Sequence, residues 1–442
     1  MPNPPSERSV RNLTAALLAG EWLEEAMVER TALAVGKRFR FLRPFVKRVL
    51  VAYPSPPTFE VLQAFGSQDR GLLAANARNS LPIATIFVRR PLMQPIPAAV
   101  AWPVPLLPTS RRLAEWLHLD DAALAWYVDL SGRHARASSS KVRHYIHQWM
   151  PKRNGGARLL EAPKPTLKQL QRQILRGILA HVPTHAAAHG FVRKRSAITN
   201  ARSHCGQVVV LRFDLADFFG SIAAPRVHAI FRSIGYPQEV ARSLTGLCTV
   251  GLPRDVWDAR PNPLADGSDH VTWQRLADRH LPQGAPTSPA LANLCAFRLD
   301  CRLAALATEL GATYTRYADD LTFSGGIDLQ QATNRVRRAV IGIVAAEGFM
   351  MNVRKSRTLP RSLRQTVTGI VVNATPNIAR DEFDRLKAIL TNCVRHGPST
   401  QNRQNHPDFR AHLLGVLSHV SAVNPNRVEK LRAIFAQIDW TR

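Results

Sequence analysis

Alternation of apolar and polar side chains is clearest on both sides of residues 318–320. Aromatic and β-branched residues there alternate with polar ones, which predicts two short strands joined by a tight turn. A run dominated by β-branched residues at 208–213 predicts a buried strand that ends at Asp214. Asp319 and Asp320 lie at the tip of the predicted hairpin, so both patterns place carboxylates where a rigid strand opens to solvent.

Helical periodicity accounts for most of the remaining chain. Residues 165–180 place Leu167, Leu170, Ile174 and Ile178 on one face and cationic side chains elsewhere. Further helices are predicted at 15–33, 110–116, 120–127, 226–249, 331–346, 381–393, 409–420 and 427–438, and another ending near 306. A strand or short helix is expected at 142–150, a strand pair or strand-turn at 365–373, an extended connector at 91–108 and an insertion loop at 250–280.

The charge balance of the chain is its most unusual bulk property. The 442 residues suffice for two or three domains, and 45% hydrophobic with 21% charged residues is ordinary for a soluble globular chain. Lys and Arg number 59 against 32 Asp and Glu, which gives a formal net charge of +27 and a pI near 11.2. A polyanionic partner is the simplest explanation, nucleic acid ahead of membrane, and a solvated basic surface is the alternative. The cations are spread along the chain, which suits a long groove better than a tail.

Cysteine usage and the N-terminus bear on the compartment. The five cysteines are odd in number and lack a Cys-x-x-Cys spacing, which argues against a zinc site or a disulfide framework and for a reducing compartment. The first residues lack the charged and apolar regions of a signal peptide, and no apolar run approaches the length of a membrane span. We therefore expect a cytoplasmic protein without a membrane partner.

Adjacent carboxylates at the hairpin tip are the strongest candidates for chemistry. Asp319 and Asp320 repel each other, so either one is protonated or a cation lies between them. Two divalent metals held by such carboxylates can clamp the attacking and leaving oxygens of a phosphoryl transfer, and Asp214 is suited to join them as a ligand. The alternative is an ordinary polar turn. Asp217 is a further possible ligand, but an N-cap at this strand-to-helix boundary is favoured.

Two further candidate sites precede the strand predicted at 208–213. The turn at Gly155 and Gly156 is flanked by cations, and Arg158 can fork onto phosphate oxygens, which makes a triphosphate clamp plausible. A surface hairpin with incidental charge is the alternative. His204 has no evident nucleophile or metal partner nearby in the sequence, so a structural or RNA-contacting role is favoured over catalysis.

Two motifs also flank the carboxylate hairpin. The Gly/Pro turn at 281–286 runs into a helix and can support a base pair or a template backbone. Capping of that helix by Thr287 or Ser288 is the alternative. Residues 348–355 turn back, which should bring Arg354 and Lys355 near the centre of the fold.

The order of these motifs resembles that of the reverse transcriptases, and within them the bacterial retron enzymes of the myxobacterial type. Four palm motifs are matched by Asp214 with Phe218-Phe219, by residues 281–289, by Tyr317-Ala318-Asp319-Asp320 and by residues 348–355. Two features typical of retron enzymes are matched by Asn200-Ala201-x-x-His204 and by Val367-Thr368-Gly369. The resemblance covers roughly residues 138–438.

The resemblance implies an α+β fold shaped as a right hand, with a mostly helical N-terminal extension. The implied divisions are the extension at 1–137, fingers at 138–207, palm at 208–360, and thumb with an RNA-binding region at 361–442. The palm should resemble a split βαβ arrangement whose small antiparallel sheet carries the metals.

The resemblance also implies an RNA-directed DNA polymerase in which Asp214, Asp319 and Asp320 hold two Mg²⁺ ions. The other implied roles concern the incoming dNTP. Arg158, with Lys152, would grip the triphosphate; Phe219 would stack under the deoxyribose and exclude a 2′-hydroxyl; Gln283 would line the nascent base pair; Lys355 would act near the leaving phosphate as a cation or acid.

Retron enzymes start DNA synthesis from the 2′-hydroxyl of a guanosine in a structured RNA, and the resemblance implies the same here. The partners would be a cognate non-coding RNA and its branched DNA product (msDNA), with an effector protein in antiphage defence. A group II intron-type enzyme is the nearest alternative, although no maturase extension or nuclease motif follows the thumb. A diversity-generating enzyme fits the second palm motif less well. A non-catalytic RNA-binding protein on a polymerase fold is disfavoured because all three carboxylates are present. The role of residues 1–110 is left open.

Overall fold

The computed structural model describes residues 7–79, 81–87, 92–137, 139–151, 157–261 and 269–441. The predicted glycine turn, with Lys152, therefore lies outside the described residues. The chain forms two units, Met1–Leu92 and Met93–Arg442. Among the described helices, none is both long enough and apolar enough to cross a membrane.

The first unit is helical and has a core of its own. Its helices are α1 (Glu7–Leu18), α2 (Glu24–Val35), α3 (Leu42–Ala52), α4 (Phe59–Gln68) and α5 (Arg70–Asn79). Apolar side chains from these helices form one cluster that includes Leu13, Leu17, Met27, Phe45 and Leu62. The single helix predicted at 15–33 is divided into α1 and α2. Arg30 donates hydrogen bonds to the Ala16 and Leu17 carbonyls at the end of α1 and to the Glu21 carbonyl in the connection.

The second unit begins with helices and a hairpin. These elements are α6 (Ser110–Trp116), α7 (Asp121–Val128), α8 (Arg133–Arg136), β1 (Tyr145–Pro151), β2 (Ala157–Pro163), α9 (Pro165–Gly177) and α10 (Ala197–Arg202). β1 and β2 pair in an antiparallel hairpin. Residues 93–137, part of the predicted N-terminal extension, belong to this unit, where Leu113 and Leu124 lie in its main core.

The central part of the second unit alternates strands with helices. It comprises β3 (Val209–Asp214), α11 (Ala224–Ile234), α12 (Gln238–Cys248), α13 (Arg254–Asp258), α14 (Asp269–Ala277), α15 (Ser288–Cys295), α16 (Phe297–Glu309), β4 (Thr313–Tyr317), β5 (Asp320–Gly325), α17 (Ile327–Gln331), α18 (Thr333–Ala346) and β6 (Arg357–Pro360). The helix predicted at 226–249 is divided into α11 and α12, because Gly235 adopts a φ of 112° and Pro237 follows it. The prediction of a loop at 250–280 is wrong where the structure describes it, since α13 and α14 form there.

The sheet of this part runs in the order β4-β5-β3-β6, with antiparallel neighbours throughout. Alternation along β3 sends Val209, Leu211 and Phe213 into the core formed with α11, α12, α16 and α18. The opposite face, which carries Asp214 and Asp320, is called the carboxylate face below. One face of the sheet is thus covered by helices, and the other presents polar side chains at the strand ends.

The last part of the chain is helical apart from one strand pair. It comprises β7 (Thr366–Val367), β8 (Ile370–Val371), α19 (Arg380–His396), α20 (Phe409–Val423) and α21 (Pro425–Phe435). The strand pair predicted at 365–373 and the three predicted helices are therefore present. Their apolar side chains form a second core that also includes Val210 of β3, so this part packs against the sheet.

Candidate active site

β3 and β5 bring two of the predicted carboxylates opposite each other. Asp214 is the antiparallel partner of Asp320 at the end of the ladder. Opposite residues in such a ladder point to the same face, with Cβ atoms roughly 4.5–5.5 Å apart. Two carboxylates from distant parts of the sequence thereby share one end of the sheet.

The turn between β4 and β5 carries Asp319. Tyr317 pairs with Asp320, which leaves Ala318 and Asp319 as the two turn residues. Ala318 has a φ of 57°, in the left-handed region that residues other than glycine rarely adopt. The Leu215 N–H donates to the Asp319 carbonyl at 2.9 Å, so the residue after β3 holds the turn in place.

Burial and crowded negative charge make these carboxyl groups harder to ionise. Burial raises the pKa of Asp319, and the charges of Asp320 and Asp214 raise it further. Burial also raises the pKa of Asp320, where the Arg212 guanidinium opposes the rise and Asp214 adds to it. A cation among these carboxylates would favour their ionised forms.

Two basic side chains already lie against the carboxylates. Lys355 Nζ is 3.0 Å from Asp214 Oδ2, and Arg212 Nη2 is 3.5 Å from Asp320 Oδ1. The Lys355 side chain is 55% exposed, so it can move aside at little cost. Positive charge therefore compensates the carboxylates in the protein alone, and Lys355 lies beside Asp214 at the end of the sheet.

The chemistry of the donor set fits divalent cations. The described residues include no group of three or more His, Cys, Asp or Glu side chains already arranged to hold a metal ion. The fit rests instead on carboxylate oxygens, which Mg²⁺ prefers, on their shared end of the sheet, and on the unfavourable crowding of charge. Asp214, Asp319 and Asp320 are the residues that would hold such ions.

Phe219 lies beside a second aromatic ring that the sequence analysis did not single out. Its ring centroid is 5.6 Å from that of Phe218 and 6.1 Å from that of Phe191. Phe191 is 52% exposed and has a φ of 62°. It follows Gly190, where an added Cβ would lie only 2.5 Å from the Ala318 nitrogen. The two rings therefore stand close to the turn that carries Asp319.

Gln283 and Arg158 are associated with the β1–β2 hairpin. The Glu161 N–H of β2 donates to the Gln283 carbonyl at 2.8 Å, and Arg158 lies three residues earlier on the same strand with an exposed side chain. The Glu161 carboxylate is buried against His280 at 3.1 Å. In the described part of the chain, no hydrogen bond or ion pair joins Arg158 or Gln283 directly to the three carboxylates.

The preference for Asp217 as an N-cap is wrong. Its Oδ2 accepts a hydrogen bond from Arg275 Nη2 of α14 at 2.8 Å, and α11 begins only at Ala224. A capping rule considers only neighbours in sequence, so it cannot anticipate that the Asp217 side chain pairs with a residue 58 positions away.

His204 has a structural role, as favoured. It is fully buried on the carboxylate face, and its ring nitrogens lie 2.7 Å from the Ser324 hydroxyl and 2.6 Å from the Thr315 hydroxyl. Burial lowers the pKa of His204 to about 3. The histidine therefore stays neutral and links β4 to β5.

Arg316 was not singled out from the sequence, and it is the largest fully buried side chain among the described residues of the second unit. It lies on the helix-facing side of β4 and pairs with Asp300 of α16. Alternation puts position 316 on the same face as Tyr314, so a cation there is an anomaly that the pattern itself contains.

The sheet and its carboxylates define a class of protein. An antiparallel sheet with helices on one face and acidic side chains at the adjoining ends of β3 and β5 is the palm of a right-hand nucleic acid polymerase. A net charge of +27 suits a polyanionic substrate.

Comparison with known proteins gives the family within that class. The sequence matches the reverse transcriptase (RNA-dependent DNA polymerase) family over residues 150–372. The retron Mx65 reverse transcriptase of Myxococcus xanthus is 42% identical over 334 residues, 74% of this chain and 74% of that protein. The retron Mx162 reverse transcriptase of the same organism is 36% identical over 346 residues, 75% of this chain and 67% of that protein. A foamy viral protease-reverse transcriptase solved in complex with double-stranded DNA covers 68% of this chain and 40% of its own, at 13% identity and a TM-score of 0.34, too slight a likeness to inform details.

The chain belongs to the reverse transcriptase family and is a retron RNA-directed DNA polymerase. The predictions of family, of enzyme class, and of an α+β right-hand fold with a helical N-terminal region are confirmed. Reverse transcriptases use divalent metal ions, and RNA and DNA are the partners of such an enzyme.

Proposed function

We propose that this retron polymerase adds nucleotides at Asp214, Asp319 and Asp320, and that these carboxylates hold two Mg²⁺ ions. The proposal rests above all on the register that sets Asp214 opposite Asp320, next to the turn residue Asp319. When bound, such ions lower the pKa of the attacking hydroxyl and stabilise charge on the departing pyrophosphate.

The other residues of the site would orient substrate and balance charge. Lys355, which lies beside Asp214 and is largely exposed, would leave that carboxylate when metal binds and turn toward the leaving phosphate. Phe219, flanked by Phe191, would lie under the deoxyribose and leave no room for a 2′-hydroxyl. Gln283, through its backbone contact with β2, would support the nascent base pair, while Arg158 would grip the triphosphate.

The assignment of fingers, palm and thumb to residues 138–207, 208–360 and 361–442 is part of this proposal, as is an N-terminal extension at 1–137. We further propose that synthesis starts from the 2′-hydroxyl of a guanosine in a cognate structured RNA and yields branched msDNA. The proposal is supported by the names of the retron relatives and by the positive charge spread along the chain, which suits an enzyme that stays bound to its RNA. An effector protein and a role in antiphage defence complete it.

Replacing Asp319 by Asn tests the site. The variant keeps the size of the side chain but removes its charge, so cDNA synthesis should fall by roughly a hundredfold or more while RNA binding is unchanged. Primer extension and filter binding measure the two quantities. Asp328→Asn, an equal change at an exposed position of α17, is the matched control and should leave both unaltered. Synthesis at the wild-type rate by Asp319→Asn would remove Asp319 from the site.

The start of synthesis is tested separately on the cognate RNA. A product joined through a 2′-hydroxyl keeps its RNA branch until a debranching enzyme is added, which should change its mobility on a denaturing gel. A linear product with no response to debranching would reject this mode of priming and leave the carboxylate site untouched.

A further inference from the structure

Arg316 and Asp300 form an ion pair with no exposure to solvent. The guanidinium grips the carboxylate at two points, Nε to Oδ1 at 2.8 Å and Nη2 to Oδ2 at 2.6 Å, and both side chains are 0% exposed. The Tyr314 hydroxyl donates to the same carboxylate at 2.9 Å. The charged pair thus lies within the core that packs against the sheet.

Stability alone does not explain such a pair. Removing two charges from water is costly, and replacing a buried pair by apolar residues of similar volume is often neutral or stabilising. The helix-facing side of β4 is where alternation calls for an apolar side chain. A reason for an arginine here must come from what else its guanidinium touches.

The remaining nitrogen of Arg316 reaches the turn that carries Asp319. Nη1 donates to the Ala318 carbonyl at 3.1 Å and to Asn293 Oδ1 at 2.9 Å. The Ala318 carbonyl belongs to the peptide that precedes Asp319, in a residue with left-handed backbone. Because alanine pays a steric cost for that conformation, a hydrogen bond from a rigid buried donor helps to maintain it.

The peptide on the other side of Asp319 is fixed as well. Its carbonyl accepts a hydrogen bond from the Leu215 N–H at 2.9 Å. Asp319 is therefore clamped between the buried guanidinium on one side and the end of β3 on the other. Both constraints act on the backbone and leave the carboxylate free to bind.

Arg316 also holds the segment behind the turn. Its own N–H donates to the Ala187 carbonyl at 2.8 Å, and its carbonyl accepts from His189 N–H at 2.7 Å. Asn293, the second acceptor of the guanidinium, donates to the Gly190 carbonyl at 2.9 Å. Residues 187–190, called the strap below, are thus bound to the same arginine as the turn they support.

We infer that Arg316, oriented by Asp300, is a positioning residue that sets the direction of the Asp319 carboxylate toward the metal ions. The inference rests on the proposed role of Asp319 as a ligand. Losing a partner that orients a metal ligand typically weakens metal binding or activity by about 10- to 100-fold.

Two variants test the inference. Asp300→Leu with Tyr314→Phe and Arg316→Met removes the charged pair and the hydroxyl together, so no charge is left buried without its partner. Arg316→Lys keeps a cation for Asp300 but lacks the fork that reaches Asp300 and Ala318 together. In both, the Mg²⁺ concentration for half-maximal primer extension should rise about 10- to 100-fold, and excess Mg²⁺ should restore part of the rate.

Binding of Mn²⁺ in the absence of nucleotide, followed by its electron paramagnetic resonance signal, gives a readout that does not depend on turnover. It should weaken in the same two variants. Tyr314→Phe alone is the matched control, because it removes one hydrogen bond from Asp300 and leaves Arg316 on the turn. Its metal dependence should equal that of the wild type.

Unchanged metal dependence in a folded variant that lacks Arg316 would overturn the inference, whatever happens to the maximal rate. Failure of both variants to fold would also overturn it, since the pair would then serve the fold itself. Asp319→Asn separates the two proposals. If it keeps wild-type Mn²⁺ binding, the assignment of Asp319 as a ligand is what fails; if it loses binding while Arg316→Lys keeps it, Arg316 alone is rejected.

Discussion

Single side chains on the two faces of the sheet obey different rules. On the carboxylate face, Lys355 lies beside the crowded carboxylates at Asp214, and the neutral His204 forms hydrogen bonds with two hydroxyls. On the helix-facing side, Arg316 and Asp300 form a charged pair within a largely apolar core. Each of these residues is defined by partners that come from elsewhere in the chain.

His204 should make stability fall in mild acid. Its pKa of about 3 in the folded protein lies below the ordinary value of about 6.5, so below pH 6.5 the unfolded chain takes up a proton that the folded chain refuses. Between pH 7.5 and 5 this costs about 2 kcal/mol of unfolding free energy. His204→Gln cannot be protonated, so urea denaturation should show about 2 kcal/mol less loss over the same interval, from a lower starting value. An equal pH dependence of the unfolding free energy in His204→Gln and the wild type would contradict this explanation.

Phe219 should control sugar selectivity. If its ring lies under the deoxyribose, Phe219→Ala opens space for a 2′-hydroxyl, and the ratio of kcat/KM for a ribonucleotide to that for the matching deoxynucleotide should rise by an order of magnitude or more. Single-nucleotide primer extension measures the ratio. Phe297→Ala, a partly exposed ring on α16, is the control. Equal ratios in Phe219→Ala and wild type would reject the gate.

The positions of the three carboxylates on the sheet were predictable, because they depend on patterns that are local in sequence. Asp214, Asp319 and Asp320 were found because strand alternation shows where a strand ends, and strand ends are where carboxylates can act. Asp217 was misread because its partner, Arg275, belongs to a helix that the sequence did not reveal. Alternation places Arg316 on the apolar face, but its importance was not predicted, because no local pattern indicates that Asp300 contacts it.

Among the elements, the β4–β5 hairpin is in close backbone contact with Gly190, which has no side chain. A Cβ at Gly190 would lie 2.5 Å from the Ala318 nitrogen and 3.1 Å from the Tyr317 carbonyl carbon, both backbone atoms that cannot turn aside. Glycine is required in the strap because of this close approach, and its φ is not the reason.

Gly190→Ala should therefore displace the turn. We expect a loss of roughly 1–3 kcal/mol in unfolding free energy together with a marked loss of primer extension. Gly342→Ala is the matched control, since an added Cβ on α18 meets no described atom within 4 Å and should stabilise the helix by about 0.5–1 kcal/mol. Thermal unfolding and extension assays on both variants give the comparison. Wild-type activity in Gly190→Ala would show that the strap and turn can separate without consequence.

Helices and strands with a clear periodic pattern of apolar side chains were predictable, and those without such a pattern were not. α9 and the helices of the last part of the chain have continuous amphipathic patterns and were found nearly at their true limits. The sequence predicts a loop at α13 and α14 because both helices are short and lie in a segment rich in Pro, Asp and Gly. Tertiary contacts hold both helices: Trp149 Nε1 donates to the Val256 carbonyl of α13 at 2.9 Å, and Arg275 of α14 donates to Asp217 Oδ2 at 2.8 Å.

At the scale of the molecule, the division at Leu92 separates a helical unit with its own core from the unit that carries every proposed site residue. A chain that lacks residues 1–92 should therefore fold and extend a generic primer-template to within a few-fold of the full chain. The same deletion with Asp319→Asn is the background control. Loss of extension by an otherwise folded deletion variant would make the N-terminal unit part of the polymerase.

The overall charge and the family were predictable from sequence, and the place of the first division was not. A net charge of +27 and six motifs in order identify a nucleic acid polymerase without structure. The stretch at 93–137 combines a proline-rich connector with two short helices, and only the packing of those helices in the main core shows which unit it joins.

The pairing of Asp214 with Asp320 has a consequence for preparations of the enzyme. Successive residues of a strand point to opposite faces of the sheet. If β5 paired with β3 one residue out of register, Leu321 could take the place of Asp320 opposite Asp214, and Asp320 would point to the other face. At the proposed site such a chain would not add nucleotides at all, rather than adding them at a reduced rate. The fraction of molecules that turn over at all, counted by active-site titration, would then report how faithfully the two strands found their alignment.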